Sequence, residues 1–120
     1  MVRGTNDEGV RLTTAQSHCH RLDDPGQVAE AVGKATGCPG ICFVTRGPGA
    51  TNASPGIHIA MQDSSPMILF VGQIATWMRD REAFQEIDYR AFFGRVAKWV
   101  TEVDDPERLP EIVSRAFSTA

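Results

Sequence analysis

The fold is decided by one stretch of the sequence, Gly40-Ile41-Cys42-Phe43-Val44-Thr45-Arg46-Gly47-Pro48-Gly49-Ala50-Thr51-Asn52. Its first residues are apolar and β-prone, which predicts a buried strand over residues 40–45. A tight Gly-Pro-Gly turn follows at Gly47–Gly49, and a helix is expected to begin near Thr51 and to reach about Asp63. Because ligands bind at the carboxyl ends of strands in parallel α/β sheets, this turn is where a ligand would sit.

A second buried strand is predicted at residues 66–72, where the sequence PMILFVG is apolar without alternation. Continuous apolarity is typical of strands that are covered on both faces, as in a parallel sheet. Strand, helix and strand in about 30 residues form a βαβ unit. Gln73 follows the second strand and is expected level with the Gly47–Gly49 turn. These patterns predict an α/β fold with three layers, α/β/α, around a mainly parallel sheet.

A helix before the first strand is predicted over residues 27–36, after a turn at residues 23–26. Helical spacing indicates that this helix buries one apolar stripe, which consists of Val28, Ala31, Val32 and Ala35. The helix between the two strands carries four apolar residues that are expected to pack, namely Ile57, Ile59, Ala60 and Met61.

Three elements are predicted in the rest of the chain. A short helix is expected around Arg81–Glu86, and the alternation at residues 96–101 favours a third, more exposed strand. The last helix has Asp105 as its N-cap and Pro106 as its first residue. Its apolar stripe consists of Leu109, Ile112, Val113, Ala116 and Phe117.

Composition places the chain among ordinary globular proteins. Its 120 residues are 42% hydrophobic and 22% charged, and the formal net charge is −3. This charge gives no reason to expect nucleic acid as a partner. No apolar run approaches the ~20 residues that span a bilayer, so no membrane association is expected. Three cysteines without a framework spacing suit a reducing compartment, which predicts a cytoplasmic protein.

The familiar ligand motifs do not explain the glycine-rich turn. It is not a phosphate-binding Walker A loop, because no Gly-Lys-Ser/Thr follows, and Asn52 stands where the dinucleotide fingerprint needs its third glycine. The triplet His18-Cys19-His20 lacks the four ligands and the spacing of a structural metal site, so no metal is expected there. Spacing alone therefore favours an ordinary strand-to-helix turn.

Three segments in the same order nevertheless resemble a known family. They are TRGPGATN at residues 45–52, PMILFVGQ at residues 66–73 and AFQEID at residues 83–88. Together they resemble the N-terminal pyrimidine-binding domain of thiamine-diphosphate-dependent enzymes of the acetolactate synthase type. The resemblance implies that residues 26–120 are part of such a TPP-binding domain, while residues 1–25 are a divergent segment without an assignment.

The resemblance implies a cofactor site that is shared between two subunits. The N-terminal domain of one subunit holds the aminopyrimidine of thiamine diphosphate, and the other subunit holds the diphosphate through Mg²⁺. A homo- or hetero-oligomer with a thiamine-diphosphate enzyme subunit is therefore the implied assembly. By the match, the pyrimidine wall consists of Gly47, Pro48, Gly49 and Asn52. Gln73 would face the reaction centre, and Phe84 and Gln85 would lie near the substrate entrance.

The chain departs from the family at the catalytic acid. The family glutamate protonates the pyrimidine and so activates the cofactor for decarboxylation and carboligation of 2-oxo acids, as in its lyases and transferases. Counting back without gaps places Leu22 at that position. A shifted register would let Asp23 or Asp24 approach the site, but this shorter acid would miss the required geometry unless the backbone moved. No Gly-Asp-Gly…Asn magnesium motif occurs. No catalytic or metal-binding residue is therefore assigned, and whether the chain is an enzyme stays open. Some members bind FAD through a middle domain, for which this segment carries no signal.

Two functions remain open at this point. The first is a truncated TPP-binding fragment of an acetolactate synthase-like enzyme that is inactive alone. The second is a non-catalytic interaction module that pairs with a full-length thiamine-diphosphate enzyme. Exposure of Phe92, Phe93 and Trp99 would favour the second, because an apolar patch on a monomer suggests a partner.

Overall fold

The computed structural model describes residues 24–120. Its helices and strands are α1 (Pro25–Thr36), β1 (Gly40–Val44), α2 (Gly47–Asp63), β2 (Met67–Val71), α3 (Tyr89–Phe93) and α4 (Leu109–Thr119). Single turns of 3₁₀ helix occupy Thr76–Met78 and Pro106–Arg108. The predictions for the divergent first segment, for His18-Cys19-His20 and for Leu22 lie outside the described residues.

The two strands form a parallel pair, which confirms the α/β class and the predicted strand–helix–strand unit. The register places Gly40 opposite Met67 and Val44 opposite Val71. Two backbone hydrogen bonds extend the pairing beyond the strands: Gly40 donates to the Pro66 carbonyl at 3.0 Å, and Gly72 donates to the Val44 carbonyl at 3.0 Å. The carboxyl ends of β1 and β2 therefore lie side by side.

α1 begins two residues earlier than predicted, because the expected turn at residues 23–26 is partly its N-terminal cap. The Asp24 carboxylate accepts a hydrogen bond from the Gly26 amide at 2.8 Å, and Pro25 occupies the first helical position. The predicted apolar stripe is wrong, since Ala31 and Ala35 are exposed. The residues that α1 buries are instead Gly26, Ala29, Glu30 and Gly33.

α2 begins at Gly47, so the Gly-Pro-Gly sequence forms its first turn and does not precede it as predicted. Proline is tolerated there because the first amides of a helix have no intrahelical partner. The residues that α2 buries are small: Gly47, Ala50, Ala53, Gly56 and Ala60. Ile59 and Met61, which the sequence predicts to pack, are 37% and 40% exposed.

Small residues let α1 and α2 approach each other very closely. A Cβ atom added to Gly26 would lie 2.5 Å from the Ala53 carbonyl oxygen. A Cβ added to Gly56 would lie 2.5 Å from the Gln27 nitrogen and from the Gly26 oxygen. Since real side chains essentially never approach backbone atoms so closely, only glycine fits at these two positions.

A core joins β2 to α2 and α3. Its buried members are Ala50, Tyr89 and Phe93, and partly buried residues including Leu69 and Val71 pack against them. Alternation along the strands puts Ile41 and Phe43 on the other face of the sheet. There Phe43 is 75% exposed, and its ring stacks on Phe70 with 4.6 Å between the ring centroids.

Two predicted elements beyond β2 are wrong. Residues 81–86 form an irregular loop and no helix, because the Glu86 carboxylate accepts hydrogen bonds from the Asp80 and Ala83 amides and so holds the backbone in other conformations. Residues 96–101 form no strand, since no neighbouring strand among residues 24–120 pairs with them. The helix that the sequence analysis missed is α3, which begins after the N-cap Asp88.

The last helical segment begins at Pro106, after the N-cap Asp105, as predicted. Asp105 accepts a hydrogen bond from the Glu107 amide at 2.9 Å, but a 3₁₀ turn comes first and α4 starts only at Leu109. The apolar stripe of α4 is not buried, since Leu109 and Phe117 are 48% and 46% exposed. None of the helices in residues 24–120 has the length and apolarity to cross a membrane.

Candidate functional site

The candidate site lies where the carboxyl ends of β1 and β2 meet the start of α2. A loop formed by residues 79–88, called here the 79–88 loop, closes one side of this region. The amide of Gly47 donates to the carbonyl of Gln85 at 3.1 Å, which joins the first turn of α2 to the loop. Because the strands are parallel, Gln73 at the end of β2 lies at the same edge of the sheet as Gly47.

The glycines of the α2 first turn pack tightly against other parts of the protein. A Cβ added to Gly47 would lie 2.9 Å from Cδ1 of Ile87 and 3.0 Å from the Gln85 oxygen. A Cβ added to Gly49 would lie 3.0 Å from Cβ of Val44. Gly47 therefore packs against the 79–88 loop, and Gly49 packs against β1. The exposed members of the predicted wall are Pro48 and Asn52, which offer a ring face and an amide to a ligand.

Gln73 is half-buried, and both polar atoms of its side chain have partners in the chain. Its Nε2 donates to the carbonyl of Ile87 at 3.3 Å, and its Oε1 accepts from the amide of Ile74 at 2.9 Å. The side chain thus joins the end of β2 to the 79–88 loop. A ligand that approached this edge would meet an amide whose orientation is already fixed.

Tyr89 also joins these elements, and the sequence analysis did not identify it. Its hydroxyl donates to the carbonyl of Gly72 at 3.1 Å, and the residue is 5% exposed. Burial raises the pKa of the Tyr89 phenol, Glu102 raises it further and Arg46 opposes the shift. The only sequence signal would have been a lone tyrosine after AFQEID, which has no distinctive spacing.

The 79–88 loop presents its two predicted site residues differently. Phe84 is 79% exposed, whereas Gln85 is half-buried and its carbonyl is held by Gly47. Three residues of the loop that carry side chains have left-handed backbone angles: Asp80, Glu82 and Gln85, with φ of 59°, 54° and 68°. Such angles are uncommon outside glycine and are found where surrounding contacts enforce them.

An open cleft of about 940 Å³ runs along this loop. Gln73 and Gln85 line it, and most of its charged lining is acidic, including Glu86 and Asp88. The structure thus brings Gln73 and Gln85 together in one cleft. It leaves Pro48, Asn52 and Phe84 outside the lining of that cleft, although Gly47 is hydrogen-bonded to Gln85.

The predicted wall contains no ionisable side chain, since its members are two glycines, a proline and an asparagine. Such a set can contact and orient an uncharged ring, but it cannot exchange a proton with it. Within residues 24–120, no group of three or more histidine, cysteine or acidic side chains could hold a metal ion. Arg79 at the cleft is already paired, with Glu102 at 3.0 Å and Asp104 at 2.7 Å.

Comparison with known protein families gives one match that covers this region. Residues 25–92 match the family described as thiamine pyrophosphate enzyme, N-terminal TPP binding domain. The matched residues include α1, both strands, α2, the 79–88 loop and most of α3. The resemblance inferred from the three sequence segments is thereby confirmed.

Individual relatives point to one type of enzyme within this family. The chain is 41% identical over 92 residues to a probable acetolactate synthase large subunit of Methanocaldococcus jannaschii, an alignment that covers 77% of the chain and 16% of that protein. It is 37% identical over 93 residues to the acetolactate synthase of Bacillus subtilis, with 78% and 16% covered. For the acetolactate synthase isozyme 3 large subunit of Escherichia coli the identity is 40% over 90 residues, with 75% and 16% covered.

Proposed function

Because the chain belongs to the family of thiamine pyrophosphate enzyme N-terminal TPP-binding domains, we propose that it binds the pyrimidine half of thiamine diphosphate. The observation that carries this proposal is the convergence of the α2 first turn, Gln73 and the 79–88 loop at the carboxyl edge of a parallel sheet. That edge is the ordinary ligand site of α/β sheets. The identity to acetolactate synthases extends across the same segment.

The residues present fit one side of such a pocket. Pro48 and Asn52 are exposed on the first turns of α2 and can contact an aromatic ring and its amino group. Gly47 and Gly49 let that turn pack directly on the loop and on β1, and so fix the position of Pro48. Gln73 holds the loop at the same edge. When bound, thiamine diphosphate supplies the electron sink for decarboxylation of a 2-oxo acid.

We further propose that the chain is inactive alone. The proposed wall residues carry no group that could protonate the ring, and counting back without gaps puts Leu22 at the position of the family glutamate. The absence of a positioned acid typically lowers the rate about 10²–10⁴-fold. The chain spans 16% of the length of its relatives from M. jannaschii and B. subtilis, so the Mg²⁺-diphosphate contacts are proposed to come from a partner subunit of the acetolactate synthase type. A cytoplasmic oligomer is the setting that this proposal implies.

The interaction module is the second candidate function. The aromatic residues named for it are only partly available, since Phe92 is 41% exposed, Phe93 is buried and Trp99 is half-buried. The observation that favours this candidate lies elsewhere, on Phe43 and Phe84, which are 75% and 79% exposed. Phe43 stacks on Phe70, and contiguous exposed apolar side chains are typical of surfaces that meet a partner.

Isothermal titration calorimetry with thiamine diphosphate and Mg²⁺ tests both candidates. The chain is titrated alone and then in a mixture with the B. subtilis acetolactate synthase, and that enzyme is also titrated without the chain as a control. Binding by the chain alone supports the pocket, and extra binding only in the mixture supports the interaction module. If the chain alone binds nothing and the mixture binds no more than the enzyme does without the chain, the cofactor proposal fails.

A pair of variants on α2 locates the binding. Asn52→Trp fills the exposed surface beside Pro48, and we expect the affinity for thiamine diphosphate to fall at least about tenfold, since ring and indole would overlap. Gln62→Trp places the same side chain on an exposed position near the other end of α2 and serves as the matched control. Equal affinities of the two variants would contradict the proposed wall.

A further inference from the structure

One side chain holds much of the 79–88 loop, and the sequence analysis assigned it no role. The two carboxylate oxygens of Glu86 accept hydrogen bonds from two backbone amides, that of Asp80 at 2.8 Å and that of Ala83 at 3.0 Å. The amide of Glu86 itself donates to the carbonyl of Ala83 at 3.0 Å. The carboxylate thus connects Glu86 to two earlier residues of the loop, Asp80 and Ala83.

These contacts compensate for an unfavourable backbone. Asp80, Glu82 and Gln85 adopt left-handed angles that side chains with a Cβ atom seldom take. The loop has no strand partner and no regular helix that would enforce these angles. Hydrogen bonds to an ionised acceptor are stronger than those between neutral groups, so the Glu86 carboxylate is well suited to hold the amides in place.

The effect of Glu86 extends to the candidate site through its neighbours in the chain. Directly before it, the carbonyl of Gln85 accepts from Gly47 at the start of α2. Directly after it, the carbonyl of Ile87 accepts from the Gln73 side chain. The residue therefore lies between the two backbone carbonyls that connect the loop to α2 and to β2.

We infer that Glu86 is a positioning residue, whose carboxylate sets the backbone of the loop that carries Phe84 and Gln85 beside the pyrimidine wall. That this loop borders a cofactor pocket rests on the proposed function. The hydrogen bonds to Asp80 and Ala83 do not depend on it. A glutamine at position 86 could not replace the carboxylate, because its side-chain nitrogen is a hydrogen-bond donor and would face the backbone amide of Asp80 or Ala83, which is also a donor.

Two-dimensional ¹H–¹⁵N NMR of the full chain tests this inference. In the wild type, hydrogen exchange at the amides of Asp80 and Ala83 should be at least about tenfold slower than in an unstructured chain. In Glu86→Gln, hydrogen exchange of both amides should accelerate about tenfold or more. The control Glu82→Gln neutralises an exposed acid of the same loop and should leave the exchange of both amides unchanged.

The outcomes separate this inference from the proposed function. If the two wild-type amides exchange as fast as those of an unstructured chain, or if Glu86→Gln leaves their exchange unchanged, the positioning role is overturned. The wild-type exchange rates keep the test decisive even if the variant fails to fold. Thiamine diphosphate with Mg²⁺ is then added to the wild type: shifts at Gly47 and Gln85 support the pocket. Their absence, together with slow exchange of the Asp80 and Ala83 amides, overturns the pocket and leaves the positioning role supported.

Discussion

Replacing Gly56 by alanine should disrupt the crossing of α1 and α2. The new methyl group would lie 2.5 Å from the Gln27 nitrogen and the Gly26 oxygen, both of them backbone atoms of α1. Backbone atoms cannot rotate away as the end of a side chain can, so the helices would have to move apart. Because the start of α2 also forms the candidate wall, this displacement would reach the site.

The magnitude follows from two opposing effects. Inserting a methyl group into a well-packed interface costs about 1–3 kcal/mol, and contact with backbone places this site at the upper end. Alanine is a better helix former than glycine, which returns about 1 kcal/mol. The net loss of unfolding free energy is therefore about 2 kcal/mol. For a domain of this size that loss lowers the Tm by about 8 °C.

Thermal unfolding followed by far-ultraviolet circular dichroism measures this change. Gly72→Ala serves as the control, because the atoms nearest to its new methyl group are 3.7 Å away, an ordinary contact distance. We expect the Tm of this control to stay close to that of the wild type. A Tm of Gly56→Ala that matched the control would refute the claim that backbone contact forces glycine at this crossing.

Three further predictions concern single side chains. Tyr89→Phe should lower the unfolding free energy by about 1 kcal/mol near pH 7. Because the pKa of Tyr89 is raised in the folded state, its protonated phenol contributes stability that is present below pH ~10 and lost as the pH rises through the folded-state pKa. Urea unfolding measured across that pH range should show this loss in the wild type but not in the variant. Ser65→Ala removes the hydroxyl that donates to the buried Glu30 carboxylate at 2.7 Å, and should lower the unfolding free energy measured in urea by about 1.5–3 kcal/mol. The control Ser114→Ala, on an exposed position of α4, should change the unfolding free energy little. Burial raises the pKa of the Cys42 thiol, and the charge of Asp24 raises it further. Iodoacetamide should therefore alkylate the exposed Cys38 at least about tenfold faster than Cys42, as measured by peptide mass spectrometry. Equal rates at the two cysteines would contradict the burial of Cys42.

The parallel strand pair was predictable because its signal is local. Each strand is a continuous apolar run, and each is bounded by glycine or proline. The resemblance of residues 45–52, 66–73 and 83–88 to one family was likewise readable, since three ordered segments are far more specific than one. The expectation that Gln73 lies at the same edge as Gly47 followed from the rule that parallel strands end together.

The buried faces of the helices were not predictable from apolar periodicity. The contact between α1 and α2 is formed by glycine and alanine, which a search for large apolar residues passes over. In the 79–88 loop the charged sequence suits a solvated helix, yet Glu86 bonds to amides of its own loop. Residues 96–101 alternate as a strand would, but alternation cannot supply the neighbouring strand that pairing requires.

The two-stranded sheet has a consequence for how this part of the chain meets its surroundings. Within residues 24–120, each strand has a partner on one side only, so β1 and β2 each leave one row of backbone donors and acceptors free of ladder bonds. Such edges are templates on which a further strand can add. A further strand that added in parallel to an edge of the 24–120 sheet would extend the row of carboxyl strand ends beside which Gly47 and Gln73 already lie.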